Sequence, residues 1–503
     1  MDSISPHSFW RTDASLAGAP SYSPLEHETR ADVAVIGAGI TGLTAAAHLK
    51  DAGRRVVVLE AGRVGAGTTG GSSGHLEVQP DQGFRTLLRN FGETGALQVT
   101  EARREAIGQI RAWSSNVSGC DFVSVPAFFY AETADDVSII EEECDAARRA
   151  GVQAALVAEV PLPFPCAAAL RLEHQARVQI MPYLRLLAAR VHGDGSRVHE
   201  HSRVTQPPED GAPCTLSTAG GRVIADEVVV ATHSGFFGIS NIDLRVAPYQ
   251  SYCLAVEVAD KVEDALFWDT ASPYHYTRVG SSASPGTLII GGADHKTGQA
   301  DEPSHFAALE KYVVQRFRVE SITHRWSAEL FEPSDGLPLI GPMPLSNHIY
   351  VASGVSGTGL TWGTAAARII ADLITGRPNE TATLVSPSRW KPVAAASNFV
   401  QENLNIAKRF VLDRLTVDAL DSVEEVPAGE GRLVQSKDGL LAAYRDAGGA
   451  IHIRSAVCTH AGCIVQWNGA EGTWDCPCHG GRFAPDGERL YGPPSDDLSA
   501  APS

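Results

Sequence analysis

Apolar positions near the start of the chain fall into short runs separated by a glycine turn and one helical stretch. Ala31–Ile36 is a strand-like apolar run, Leu43–Ala52 is helical in pattern, and Arg54–Leu59 is a second apolar run that ends in Glu60. Strand, turn, helix and strand in that order predict a parallel β-α-β unit. From Phe84 to Trp113 apolar residues recur at helical intervals, which predicts a long helix. Leu254–Val258 and Leu288–Gly291 read as sheet strands, and Glu227–Gly235 opens as a strand. Near the end of this region the strand His348–Ala352 leads to a helix from Thr364 to Ile374, with Pro378 and a polar stretch beyond. A linker runs from Ser386 to about Asp418, and its part from Phe399 to Leu415 reads as helix. No run reaches the length of about 18 apolar residues that a membrane-spanning helix needs.

The composition narrows the partners. A chain of 503 residues has room for two or three domains. A formal charge of −18 argues against nucleic acid and anionic membrane surfaces. Met1–Pro24 is polar and lacks a basic region followed by an apolar core, so no signal peptide is expected. Five of the nine Cys (Cys120, Cys144, Cys166, Cys214, Cys253) follow no framework pattern, which suits a reducing cytoplasm.

The turn of the β-α-β unit is Gly37-Ala-Gly39-Ile40-Thr41-Gly42, and Glu60 follows the last glycine by 18 positions. This is the dinucleotide fingerprint in its required context. Gly37 permits the tight turn, Gly39 lets backbone approach a pyrophosphate, and Gly42 lets helix and strand pack closely. The helix N-terminus then faces the pyrophosphate, and Glu60 is placed to hold ribose hydroxyls. A Gly/Ser/Thr loop from Ala61 to His75 follows and suits wrapping a phosphate or flavin. Gly357-Thr-Gly359-Leu360-Thr-Trp-Gly363 has no strand after its helix to complete a second unit. Its helix N-terminus instead suits a flavin pyrimidine that gains negative charge on reduction.

Near the C-terminus, Cys458-Thr-His460-Ala-Gly-Cys463 is followed by Cys476-Pro-Cys478-His479-Gly-Gly. A zinc site of two Cys and two His could use the same ligands. Each half, however, pairs one Cys with one His and carries an extra Cys. A [2Fe–2S] centre with two Cys on one iron and two His on the other draws one of each from every loop. The segment closely resembles the Rieske family, with Gly492-Pro-Pro494 where that family has a proline loop. The resemblance implies Cys458 and Cys476 on one iron, His460 and His479 on the other, and a Cys463–Cys478 disulfide. Gly481 and Phe483 stand where high-potential members carry Ser and Tyr, so a lower cluster potential is expected.

The rest resembles the D-amino-acid-oxidase-type amine oxidoreductases. The segments that carry this are the N-terminal glycines, Glu227–Gly235, Trp326, Pro333–Gly341 and Tyr350–Gly354. Bacterial proteins that append a Rieske domain to this fold are more similar still, in the Gly67-Thr-Thr-Gly70 loop, Gly291–Gly298 and Ser388–Pro392. The resemblance implies an α/β FAD-binding domain, Rossmann-like and of GR2 type, with an inserted α+β substrate domain and a C-terminal all-β Rieske domain. The expected layout is an extension over 1–30 and an oxidoreductase over 31–385. Its FAD segments lie at about 31–80, 175–240 and 325–380, and its substrate domain mainly at 81–174 and 241–324. A linker helix over 386–418 and the Rieske domain over 419–503 complete it. The implied FAD contacts are Gly37, Gly39, Ile40, Thr41, Gly42, Glu60 and Ala61, then Thr68, Thr69, Gly70, Ser72 and Ser73. Val204, Ala231, Thr232, Gly336, Gly357, Gly359 and Leu360 complete them. FAD should be non-covalent, because Gly71 takes the loop position where relatives attach it through His, and no Cys lies near Pro333–Gly341.

Chemistry at the flavin leaves weaker marks, since the cofactor does most of it. At strand period Tyr274, Tyr276 and Arg278 share one face, offering two hydroxyls and a bidentate carboxylate clamp. An amphipathic strand with a solvent-exposed Arg fits the same pattern. His295, in a glycine turn after a strand, and His75, in the flavin loop, are further candidates. A hydrogen-bonded loop His is the plain alternative for His295, and Trp326 reads as packing. The expected function is an FAD-dependent amine or amino-acid dehydrogenase that passes electrons singly through the [2Fe–2S] cluster to an external acceptor. Alternatives are an O₂-using oxidase with an auxiliary Rieske domain, and an electron-transfer component for a partner oxygenase. A Rieske oxygenase would need a mononuclear iron site after the motif, where the chain ends. Neither the amine, the acceptor nor the oligomeric state is legible.

Overall fold

The structure is a computed structural model. It describes all residues except 1–3, 6, 12–19, 116, 236–241, 300–301, 390, 392–399, 407, 411–412, 414–417 and 502–503. The first sheet has the order Leu339–Pro342, Ile349–Ser353, Arg222–Val230, Thr29–Ile36, Val56–Leu59, Arg197–His199, with Cys214–Ser217 added beside Arg222–Val230. Its central pairs are parallel. Val33–Ile36, Val56–Leu59 and Val228–Val230 are buried throughout, which is why they read as continuous apolar runs rather than alternating ones. Ile36 pairs with both Leu59 and Val230, so Gly37, Glu60 and Ala231 emerge side by side at the carboxyl edge. That edge of a parallel sheet is where ligands bind.

The second sheet is largely antiparallel and lies over that edge. Its order is Val319–Pro333, Val246–Val258, Ser284–Lys296, His275–Ser281, Leu266–Asp269, Val123–Ala131, Ala168–Arg177, His75–Leu76, with Ala154–Val157 beside Ala168–Arg177. The long helix spans Gly83–Ser114 and kinks at Gly92, whose φ of 71° only glycine adopts readily. The helix after Ile349–Ser353 begins at Gly359 rather than at Thr364. The glycine segment is therefore its first turn, not a loop before it.

The C-terminal region is built from two small sheets. One is Gly431–Ser436, Gly439–Arg445, Ile451–Ser455; the other is Gln466–Asn468, Thr473–Asp475, Arg482–Phe483, Arg489–Tyr491. Part of the expected linker helix, 399–415, lies outside the described residues; 400–406, 408–410 and 413 are helical.

Candidate functional site

One cavity of about 930 Å³ runs beneath the carboxyl edge of the parallel sheet. At one end the first strand delivers Gly37, where φ is +103° and a Cβ would sit 2.6 Å from the Ala231 carbonyl oxygen. A Cβ on Gly39 would come within 2.9 Å of Thr69 Oγ1. The helix Ile40–Asp51 starts here, and its first N–H groups lie at the cavity. Glu60 lines it too, accepting from the Ala38 and Gly62 N–H groups at 2.8 Å each. Burial raises the Glu60 pKa, while those two bonds hold it down.

Other residues expected at a dinucleotide also line the cavity: Ile40, Thr41, Ala61, Thr68, Thr69, Ser72, Ser73, Val204, Ala231, Thr232, Gly357, Gly359 and Leu360. Three do not. Gly42 packs helix against turn, a Cβ there colliding with the Gly37 carbonyl oxygen. Gly70 is covered by the N-terminal segment, whose Ser8 Oγ donates to its carbonyl at 2.6 Å. Gly336 forms a turn with φ +92° against the Gln82 side chain.

The glycine loop is tied down rather than loose. Trp10, 3% exposed, donates from Nε1 to Ser72 O at 2.6 Å, Arg11 donates to the Gly65 and Gly67 carbonyls, and Trp326 Nε1 donates to Gly71 O at 2.7 Å. The polar N-terminus gave no sign of this, because one buried Trp in a polar stretch has no periodicity.

At the other end Tyr274 and Tyr276 line the cavity as the strand alternation predicts. Tyr274 donates to Asp81 Oδ1 at 3.1 Å, and the other Asp81 oxygen faces the Gly357 N–H at 3.2 Å. The Tyr276 hydroxyl sits between Ser251 Oγ at 3.2 Å and Cys253 Sγ at 3.1 Å. His75 lines the cavity edge-on to Tyr276, with Nδ1 2.9 Å from Ser73 Oγ. Burial, and then the nearby Arg278, drive the His75 pKa down to about 3, so its ring is neutral. Burial pushes the Glu77 carboxyl up to about 7 against the pull of Arg103, and raises Asp81. These carboxyls were not foreseen, since single acids far apart in sequence resemble a solvated surface.

Two expected residues lie elsewhere. Arg278 is fully buried beneath the glycine loop, donating to the carbonyls of Gly74, Val178, Val279 and Gly280 with its guanidinium over the Trp10 ring. It shares a face with the tyrosines but sits further along the strand, past the cavity, so it clamps backbone rather than a carboxylate. His295 lies off the cavity. Its ring stacks on Tyr252, bonds the Tyr252 hydroxyl at 2.8 Å and donates from Nδ1 to the Lys296 carbonyl. Gly292 (φ +137°) and Ala293 (φ 57°) distort the strand just before it.

The cysteine-histidine loops meet as expected. Cys463 and Cys478 form a disulfide. Cys458 and Cys476 lie within hydrogen-bonding reach of each other, and the His460 and His479 rings are 4.9 Å apart. All four ring nitrogens are buried without a hydrogen-bond partner, an expensive state for imidazole unless it ligates a metal. The sulfurs of Cys463, Cys476 and Cys478 also cluster, but the disulfide removes two of them as ligands. A Cβ at Gly481 would sit 2.6 Å from Pro494 Cγ and 3.5 Å from Cys458 Sγ. The missing hydroxyl therefore reflects tight packing of the proline loop as well as a missing bond to sulfur.

These loops dock on the larger region. A Cβ on Gly480 would collide with the Glu329 carboxyl and lie 2.8 Å from Pro248 Cβ. Glu329 lines the cavity, is 0% exposed, and has both oxygens outside normal hydrogen-bond geometry, although the Thr297 hydroxyl faces them. Burial pushes its pKa far up, with Arg482 opposing. Gln299 Nε2 donates to Pro477 O at 3.1 Å, and the Ser327 N–H donates to Glu471 Oε1 at 3.1 Å. The segment around His295 thus contacts the cysteine-histidine region instead of the cavity.

Comparison with known proteins agrees with this geometry. Residues 32–373 match the family model of FAD dependent oxidoreductases (DAO), and residues 417–502 match that of the Rieske [2Fe-2S] domain. A Bacillus subtilis (strain 168) chain named as a Rieske 2Fe-2S iron-sulfur protein, YhfW, is 29% identical over 97% of this chain and 96% of its own. The gamma-glutamylputrescine oxidoreductase of Escherichia coli (strain K12) is 26% identical over 72% of this chain and 88% of its own. Among solved structures, glycine oxidase from Geobacillus kaustophilus superposes with a TM-score of 0.58 at 19% identity, covering 72% of this chain and 99% of that one. L-proline dehydrogenase from P. horikoshii gives 0.58 at 18% identity, covering 74% and 98%. At these identities the two structures speak for the fold alone.

Proposed function

The chain belongs to the FAD dependent oxidoreductase (DAO) family and carries a Rieske [2Fe-2S] domain, and from that premise we propose an amine or amino-acid dehydrogenase that discharges through its own cluster. One observation carries the reading: the loop bearing His479 touches, through Gly480, a residue that also lines the flavin cavity, Glu329. When bound, FAD would accept a hydride from the carbon that bears the amine nitrogen, leaving a C=N bond, and the cluster would relay the electrons singly to an external acceptor. Gly37, Gly39 and the helix N-terminus would hold the diphosphate, Glu60 a ribose, and the first turn at Gly359 the ring, without a covalent link. Cys458 and Cys476 would hold one iron, His460 and His479 the other, braced by Cys463–Cys478.

Tyr274 and Tyr276 form the substrate wall, and Asp81 fixes the Tyr274 hydroxyl. Arg278 is spent on backbone carbonyls and offers no carboxylate clamp, while Glu77 and Asp81 line the cavity with the tyrosines. Such a wall favours the amine end of a substrate. His75, neutral beside Tyr276, adds no positive charge to it. The name of the relative gamma-glutamylputrescine oxidoreductase is consistent with an amine substrate. Anaerobic stopped-flow mixing with amines and N-methyl amino acids tests this. Flavin bleaching should be followed by bleaching of the cluster absorbance. Flavin bleaching that never reaches the cluster, with turnover on O₂, would convert the reading to an oxidase.

A further inference from the structure

The residues bounding the cavity lie between Ile36 and Leu360, apart from a short segment of the Rieske domain, Arg489, Leu490, Tyr491 and Gly492. Arg489–Tyr491 is the last strand of its four-stranded sheet, paired only with Arg482–Phe483 in that sheet's order. Its seat is built. Tyr491 receives a hydrogen bond from Arg482 Nη1 at 2.6 Å. Gly492, at φ +99°, lies so close to the cluster loop that a Cβ would be 2.5 Å from Gly480 O and 2.9 Å from Gly481 Cα. Across the seam Arg203, itself a cavity residue, donates from Nη1 to Leu490 O at 3.1 Å.

Charge points the same way. Arg203 acts on Glu60 and Arg489, and Arg11 feels both Glu60 and Tyr491, so three guanidiniums gather near the end where the helix N-terminus opens. Burial, and then Arg203, bring Arg489 down to about 10, while Asp496 and Asp497 oppose. Arg489 itself donates to Pro494 O at 2.6 Å, Arg11 to the glycine-loop carbonyls, and the helix N-terminus with its glycine backbone is an anion seat in its own right.

We propose that the Rieske domain supplies a wall of the FAD site: Tyr491 and Gly492 close the side running from Glu60 to Glu329, fastened across the seam by the Arg203 bond to Leu490. The dinucleotide is held between two modules and exchanges only when their seam opens. The proposal rests on the FAD assignment and is independent of the electron route.

Flavin exchange is the readout, followed by the fluorescence that FAD gains on release and loses on uptake by full-length protein. In unmodified, flavin-depleted protein the uptake rate should level off as FAD is raised, because seam opening limits it. A rate that climbs linearly with FAD over the whole range overturns the proposal. In the holoprotein, Tyr491→Ala opens the wall, and Glu471→Lys loosens both the seam at Ser327 and the Arg482 pair that seats Tyr491, without replacing a cavity residue or a cluster ligand. Each should speed FAD release roughly tenfold or more, with the cluster's visible and EPR signals retained. Release at the parent rate in both variants, cluster intact, overturns it as well. Failure of cluster reduction in the anaerobic experiment would leave these rates unchanged, so the two readings fail separately.

Discussion

The cluster loops and the flavin cavity solve the same problem at opposite ranges. Between Cys458 and His479 the loops gather four candidate ligands and the Cys463–Cys478 disulfide, on turns flanked by strands of two to five residues. The cavity gathers Gly37, Asp81, Tyr274, Glu329, Gly357 and Tyr491 from segments that meet only because two sheets and a docked third region place them. A soft-metal site must satisfy a fixed coordination geometry, so short loops carry it. A dinucleotide with a substrate needs a long walled trough, which only tertiary structure makes.

The contrast can be broken most sharply at the loops. Cys476→Ala should abolish the cluster, with iron content and the cluster's EPR signal at background. In the cavity, Gly39→Val drives a branched side chain into Thr69 Oγ1. An overpacking cost of about 3 kcal/mol weakens FAD by about 100-fold, read by titrating flavin-depleted protein. Arg278→Met removes a buried set of charge-assisted bonds to carbonyls. It should lower stability by about 3 kcal/mol in a denaturant melt and leave KM unchanged, the opposite of what a carboxylate clamp would do. Tyr274→Phe should cut kcat/KM by about tenfold with little change in Tm, one hydrogen bond to a carboxyl being worth about 1.5 kcal/mol.

A pH dependence is expected at Glu77. Its folded pKa, about 7, lies above the ordinary carboxylate range, so between the two the folded protein keeps a proton that the unfolded chain has lost. Stability should therefore fall as pH rises through that window toward 7. Glu77→Gln should flatten this slope in Tm against pH, and an unchanged slope would place the titration elsewhere.

Legibility followed range. Gly37, Gly39 and Glu60 could be read because a turn, a helix start and a strand end are local demands. The Cys and His loops could be read because their spacing is their geometry. Strand alternation placed Tyr274 and Tyr276 on the cavity but could not say where along the strand the cavity stops, which is why Arg278 misled. His295 misled because two positive-φ residues, Gly292 and Ala293, redirect the strand end. Asp81, Glu77 and Glu329 had no signal, since a lone carboxylate in sequence carries no sign of burial. Tyr491 was hidden most completely, because its place depends on docking between regions.

The N-terminal ties to the glycine loop also set an order of events during synthesis. Ser8, Trp10 and Arg11 leave the ribosome early, as do their partners in the loop at Gly65–Ser72. The bridge from Ser5 to His324, and the bond from Trp326 to Gly71, must wait for a strand made far later. A nascent chain therefore holds this loop by one side only. Flavin uptake belongs after the strand Val319–Pro333 has been made and has closed the other side of the loop.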